Sequence, residues 1–202
     1  MYPRWTYLAP IRGSGHTRHA GNRRATQRMT KEQLFSRLLR AVRTPPSRRH
    51  WGFFAAEASW LLPLLVALGW AADLIHWNPR FDAGLLKLAL LALVIPALGE
   101  ELLFRAALLP SPDNRIPLPP WRLAMSVGAF VIWHPLQAPI FGDHWQQVVL
   151  NPWFLAAVFF FGVASARLYW RTGSIWPSVA LHWLVVVGWK ALLGGPSPWV
   201  SN

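Results

Sequence analysis

The chain has 202 residues, 53% of them hydrophobic, carries a formal net charge of +12 and contains no cysteine. That composition excludes disulfide staples, thiolate metal sites and a cysteine nucleophile. Twelve of the twenty Lys and Arg lie within residues 1–50 beside a single acid, Glu32; with no aromatic–basic repeat or nucleic-acid motif among them, they read as an anchor on anionic lipid, and no nucleic-acid partner is expected.

Residues 1–29 are rich in Arg, Gly and Thr without apolar periodicity and read as a disordered basic tail. Met29 opens more ordered-looking sequence, which leaves open whether the first 28 residues belong to the native product. Thr30 and Gln33 fit a capping box. It starts an amphipathic basic helix within residues 30–50 that puts Leu34, Phe35, Leu38, Leu39 and Val42 on one face. That helix is expected to lie flat on the membrane surface or to dock on the rest of the chain. Thr44-Pro45-Pro46-Ser47 ends it. No signal peptide is expected before the first span, because the basic region is long and no small-residue cleavage site follows.

Residues 51–202 read as a membrane core. Residues 58–72, 123–142, 144–166 and 172–189 carry no Asp, Glu, Lys or Arg. Several of these stretches approach the roughly 20 residues that cross about 30 Å of hydrocarbon. Many of the fourteen Trp, among them Trp51, Trp77, Trp121, Trp153, Trp176 and Trp189, sit near their ends, as an interfacial belt requires. A buried all-helical soluble core is the alternative. The fold class expected is all-α, a multi-pass bundle of about five spans at 55–76, 84–109, 122–141, 150–169 and 174–193. Breakers separate them: Asn78-Pro79, the run Pro110 to Pro120, Gly142-Asp143 and Thr172-Gly173. A cytoplasmic amino terminus puts Arg115, Arg122, Arg167 and Arg171 on the cytoplasmic side and Arg80 and Lys190 opposite. That bias obeys the positive-inside rule and suits a bacterial inner (plasma) membrane.

Ionisable groups inside a span cost several kcal/mol and mark function by default. Glu100, Glu101, His134 and His182 stand out, with Arg105 close by. Glu57 and Asp73 lie near the ends of the first span, where snorkelling or headgroup contact makes them cheap. Glu101 and Arg105 are one helical turn apart, in the favourable order for an ion pair. Glu100 points about 100° away and stays free for chemistry; the bland alternative is that both acids merely satisfy Arg105. At about 1.5 Å per residue, Glu100, His134 and His182 fall roughly 13, 18 and 12 Å from the cytoplasmic ends of their spans, in one layer. Pro96, Pro135 and Pro177 flank them, and proline is tolerated in spans where a cavity or water is present.

These residues carry a resemblance. Glu100 to Arg105 fits Glu-Glu-x-x-x-Arg, Phe130 to His134 fits Phe-x-x-x-His, and Thr172 to Ser178 leading to His182 is similar to a last family block. Over roughly residues 84–190 the chain resembles the CAAX protease and bacteriocin-processing (Abi) family of glutamic-type intramembrane peptidases. The resemblance implies a helical membrane core with a water-filled cavity and a metal-free endopeptidase. Glu100 would be the base that activates water, His134 would help hold that water, and His182 would stabilise the oxyanion, with Glu101 and Arg105 as support. It implies no cofactor. A carboxylate in a poorly solvated pocket suits general-base work, and oxyanion donors contribute a large electrostatic term. One departure is Val186, four residues after His182, where members often carry Asn; a second oxyanion donor is then missing or comes from elsewhere.

Two other readings stay open. Two imidazoles and a carboxylate are also an open zinc site, although His-Glu-x-x-His is missing. The chain can also be a non-catalytic scaffold or immunity protein on a degenerate peptidase fold. Five spans without a repeat suit a transporter poorly. The expected partners are the lipid bilayer and a membrane-anchored peptide or protein substrate, with a C-terminal sorting tail as one candidate. The stretch Phe141 to Leu150 is expected to be a short loop at the entrance.

Overall fold

The structure is a computed structural model that describes residues 30–109, 117–141 and 143–196. The basic tail expected over 1–29, Pro110 to Ile116 of the proline-rich turn, Gly142 and the side chain of His144 lie outside the described residues. Among the described residues nine α-helices follow in chain order: α1 Lys31–Arg43, α2 Arg48–Ala71, α3 Gly84–Ala92, α4 Gly99–Glu101, α5 Pro120–Leu136, α6 Ala138–Phe141, α7 Asp143–Val149, α8 Pro152–Thr172 and α9 Trp176–Leu192. Two π-helical segments, π1 Leu93–Leu98 and π2 Leu102–Ala107, join α3 and α4 into one interrupted rod. Among the described residues there is no strand, only an isolated bridge between Asn78 and Leu193. The all-α architecture expected from the sequence is the one observed.

Local chemistry sets the ends of these helices. The Thr30 hydroxyl accepts from the Gln33 amide at 3.2 Å and the Gln33 side chain accepts from the Thr30 amide at 3.0 Å, completing the capping box. Ser47 and His50 make the same reciprocal cap for α2. Asn151 caps α8 through its side-chain oxygen, with Pro152 in the first turn. Gly173 closes α8 in the left-handed region at φ 66°, a conformation a side chain would strain. Proline explains the interrupted rod. Pro96 has no N–H for the carbonyl four residues back and its ring crowds that carbonyl, so the ladder widens into π1 and Ile95 leaves helical geometry at φ −105°, ψ 27°. Such π segments are frequent at functional sites, and here they bracket Gly99-Glu100-Glu101.

Among the described residues three helices, Arg48–Ala71, Pro120–Ile140 and Pro152–Thr172, are long and apolar enough to cross a membrane. The other two of the five expected spans fall short of that standard for identifiable reasons. The rod from Gly84 is broken at Pro96, and α9 stops after 17 residues. The stretch expected as an entrance loop is also helical. In α7, Trp145, Val148 and Val149 share the face that is buried, and Trp145 and Val149 pack with Ala138 and, from outside, Phe154 and Trp189.

α8 is the central element, packing on α2 along one side and on α5 along another. Phe104, Phe130, Val158, Phe161, Leu168 and Leu181 meet there in one apolar cluster with Leu61 of α2. A second cluster includes Ala41 of α1, Ala106, Leu109, Val127, Tyr169 and Ile175. α1 packs on the rest of the chain. Ala41 is buried, its carbonyl accepts from the Ile175 amide at 3.1 Å, and the Val42 carbonyl accepts from the Trp176 indole at 2.8 Å. Phe35, on the same helix, stays exposed.

Candidate active site

Glu100 and Glu101 stand in the single α-helical turn between the two π segments, and their side chains go to different places. Glu101 is fully buried and lies 3.3 Å from the equally buried Arg105 guanidinium, four residues on. Arg105 also donates to the Ser126 hydroxyl at 3.3 Å, and its guanidinium stacks 4.6 Å above the Phe130 ring. Ser126 in turn donates to the Phe104 carbonyl at 2.6 Å, tying α5 to π2. The buried cation therefore has a counter-ion, a hydroxyl and an aromatic face, which a desolvated charge needs.

Glu101 reaches beyond its own helix. Its other oxygen lies 3.0 Å from His182 Nδ1 on α9. The chain Arg105, Glu101, His182 thus links the interrupted rod to α9 and fixes the orientation of the imidazole. Phe161, 4.7 Å away between ring centroids, and Phe130, 6.0 Å away, hold the ring from the sides. His182 Nε2 then faces Glu100, 3.9 Å from Oε2.

Glu100 is the more accessible acid, with its side chain 17% exposed against 0% for Glu101. Its Oε1 accepts from the Trp133 indole N–H at 3.0 Å. Its Oε2 is buried and accepts no hydrogen bond. No Lys or Arg stands within ion-pairing distance of it among the described residues.

His134 follows Trp133 on α5. Its Nδ1 lies 2.8 Å from the Phe130 carbonyl. A carbonyl can only accept, so Nδ1 carries the proton and Nε2 is left as an acceptor in the neutral ring. Phe130 at 4.8 Å and Phe154 at 5.7 Å pack edge-on against that ring. Both imidazoles consequently lean on one buried phenyl group, Phe130. The first residue of the Phe-x-x-x-His motif is the partition between the two histidines as well as a core residue.

The structure brings Glu100, His134 and His182 to one hub of side chains around Phe130 and Trp133, with Glu101 and Arg105 behind it. Asp73 lies apart, in the turn after α2 at φ 56°. Glu57 differs from the expected snorkelling acid. It is 1% exposed and is held by the Trp60 indole at 2.9 Å, Arg167 at 3.2 Å and Arg171 at 3.0 Å, because the start of α2 lies beside the end of α8. Sequence reasoning passed over Trp133, Ser126 and the contact of Glu101 with His182. The signal for Ser126 was present, since 126, 130 and 134 follow a four-residue spacing that puts them on one stripe of α5.

Among the described residues, no three His, Asp or Glu side chains converge as a set able to hold a metal ion. Residues 82–188, more than half of the chain, match the family described as type II CAAX prenyl endopeptidase Rce1-like. The chain belongs to that family. The matched region holds every residue of the hub, from the interrupted rod through α9 to His182. Membership makes this protein a CAAX-type intramembrane endopeptidase, and the apolar helices agree with a membrane protein. No curated protein and no solved structure matches the chain.

Proposed function

We propose that the protein hydrolyses a peptide bond in a membrane-associated peptide or protein tail with a water activated by Glu100, without a metal. The observation that carries this reading is the state of the Glu100 carboxylate. One oxygen is anchored by Trp133 and the other, Oε2, is buried, accepts no hydrogen bond and is turned toward His182. A carboxylate oxygen with free lone pairs in a poorly solvated place is a competent proton acceptor.

In the proposed reaction, Oε2 takes a proton from water while the water oxygen forms a bond to the scissile carbonyl carbon. His134 Nε2 accepts the second hydrogen of that water and so holds it. The carbonyl electrons move to oxygen, and the resulting oxyanion is held by His182 when Nε2 carries a proton. Glu101 on Nδ1 is the counter-ion of that imidazolium and keeps the ring aimed. Collapse re-forms the carbonyl and breaks the C–N bond, and the proton on Glu100 passes to the leaving amine. Arg105 completes the support by neutralising Glu101. We place the amino terminus and the basic helix α1 on the cytoplasmic side of a bacterial inner membrane.

A quenched-fluorescent farnesylated peptide ending Cys-aliphatic-aliphatic-Xaa tests this in detergent. Cleavage that persists with excess chelator and vanishes in Glu100→Gln is the expected result. Activity lost to the chelator and restored by zinc would favour the zinc enzyme. Cleavage by Glu100→Gln as fast as by wild type would end this reading, whereas a cellular phenotype left intact by Glu100→Gln would favour the scaffold.

A further inference from the structure

The Trp133 indole is the neutral donor on the reacting acid, and its setting is specific. Trp133 precedes His134 in the same turn of α5, so the motif that supplies the histidine also supplies this N–H. The ring rests against Phe104 at 6.2 Å between centroids, and Phe104 lies one turn beyond Glu100 on the interrupted rod. Phe104 is itself buried against Phe130 at 5.3 Å. The indole thus rests on Phe104, which packs on the Phe130 ring that borders both histidines, and its N–H lies 3.0 Å from Glu100 Oε1.

An indole N–H can donate but cannot accept. It therefore occupies one carboxylate oxygen without supplying a charge that would neutralise the acid and without competing for its proton. Lysine or arginine in that place would pair with the carboxylate and weaken it as a base. An apolar side chain would leave Oε1 buried and unpaired, free to turn toward whichever donor lies nearest, including the substrate water.

Resting on the reading of Glu100 as the base, we infer that Trp133 is a positioning residue: its N–H anchors Oε1 and so assigns the proton transfer to Oε2, the oxygen that faces His182. Trp133 touches neither the water nor the substrate in this account. It acts through Glu100, and its loss lowers kcat while leaving KM close to its original value.

The test uses full-length protein in detergent and the farnesylated Cys-aliphatic-aliphatic-Xaa peptide. Trp133→Phe keeps an aromatic ring and removes the N–H; kcat is expected to fall about 10- to 100-fold with KM within about twofold, the size of a lost positioned hydrogen bond. Trp133→His puts imidazole Nε2 at the place of indole Nε1 in a five-membered ring, so it returns the donor and is expected to recover part of kcat. A ¹⁵N-indole spectrum supplies a readout independent of turnover. The cross-peak that Trp133→Phe removes should move upfield in Glu100→Ala while the other indole peaks stay in place. Full kcat in Trp133→Phe, equal losses in the Phe and His variants, or an unmoved cross-peak in Glu100→Ala would each overturn the inference while leaving the peptidase reading intact. That reading falls separately, to full cleavage by Glu100→Gln.

Discussion

Glu57 and Glu100 sit on different helices, and each accepts an indole N–H, from Trp60 at 2.9 Å and from Trp133 at 3.0 Å. Glu57 then receives Arg167 and Arg171 on its second oxygen, at 3.2 and 3.0 Å. Among the described residues Glu100 receives neither Lys nor Arg; its second oxygen accepts no hydrogen bond and has only the His182 ring near it, at 3.9 Å. The same side chain with the same first partner is a clamp between α2 and α8 in one place and a free base in the other. What separates the two is the chain around them. α8 ends in two arginines spaced four apart beside Glu57, whereas the arginine near Glu100 is already taken by Glu101.

The comparison can be broken or sharpened by substitution. The largest effect belongs to Glu100→Gln, which should lower turnover of the farnesylated probe by about 10²–10⁴-fold, the range of general-base catalysis, with an unchanged melting temperature in detergent. Glu101→Gln should act on both quantities. It leaves Arg105 buried without its counter-ion, a loss of about 3–5 kcal/mol in thermal or denaturant unfolding. Turnover of the folded fraction should fall less than in Glu100→Gln, since the amide oxygen can still accept from His182. Glu57→Gln should cost about 1–3 kcal/mol of stability through its lost partners and leave kcat of the folded protein unchanged. A folded but inactive Glu57→Gln would erase the distinction between the two acids. Val186→Asn is the smallest. It adds a donor one turn beyond His182 on the same face, and a modest rise in kcat, up to about tenfold, is expected in the steady-state assay.

Much of this was legible in the sequence because it depends on spacing along one helix. The charge-free stretches and their breakers placed α8 and α9 to within a few residues, although α2 starts at Arg48 rather than 55 and α7 fills the expected loop; Thr30 and Gln33 announced the first cap, and Glu101 with Arg105 required only a four-residue interval. Pro96 marked the rod as irregular, although not that it would widen into π turns on both sides of the acids. Contacts between helices were less accessible. That Glu101 reaches His182, or that Glu57 meets Arg167 and Arg171, depends on which helices are neighbours and how each is rotated. A charge near the end of a span reads the same whether it snorkels or is buried by a partner helix, and so Glu57 was misjudged. Trp133 was hidden for another reason. Of the fourteen tryptophans, several turn an indole N–H onto another part of the protein, Trp60 and Trp176 among them, and nothing in the sequence says which one meets Glu100.

The role given to Glu100 is tested most directly by a single turnover in H₂¹⁸O, with enzyme in excess over the farnesylated peptide. If Glu100 acts as the base, water attacks the carbonyl itself, and the first product molecules carry ¹⁸O in their new carboxylate. Unlabelled first-turnover product, with ¹⁸O appearing instead in the side chain of Glu100, would mean that the carboxylate attacked the peptide bond, and would contradict the account.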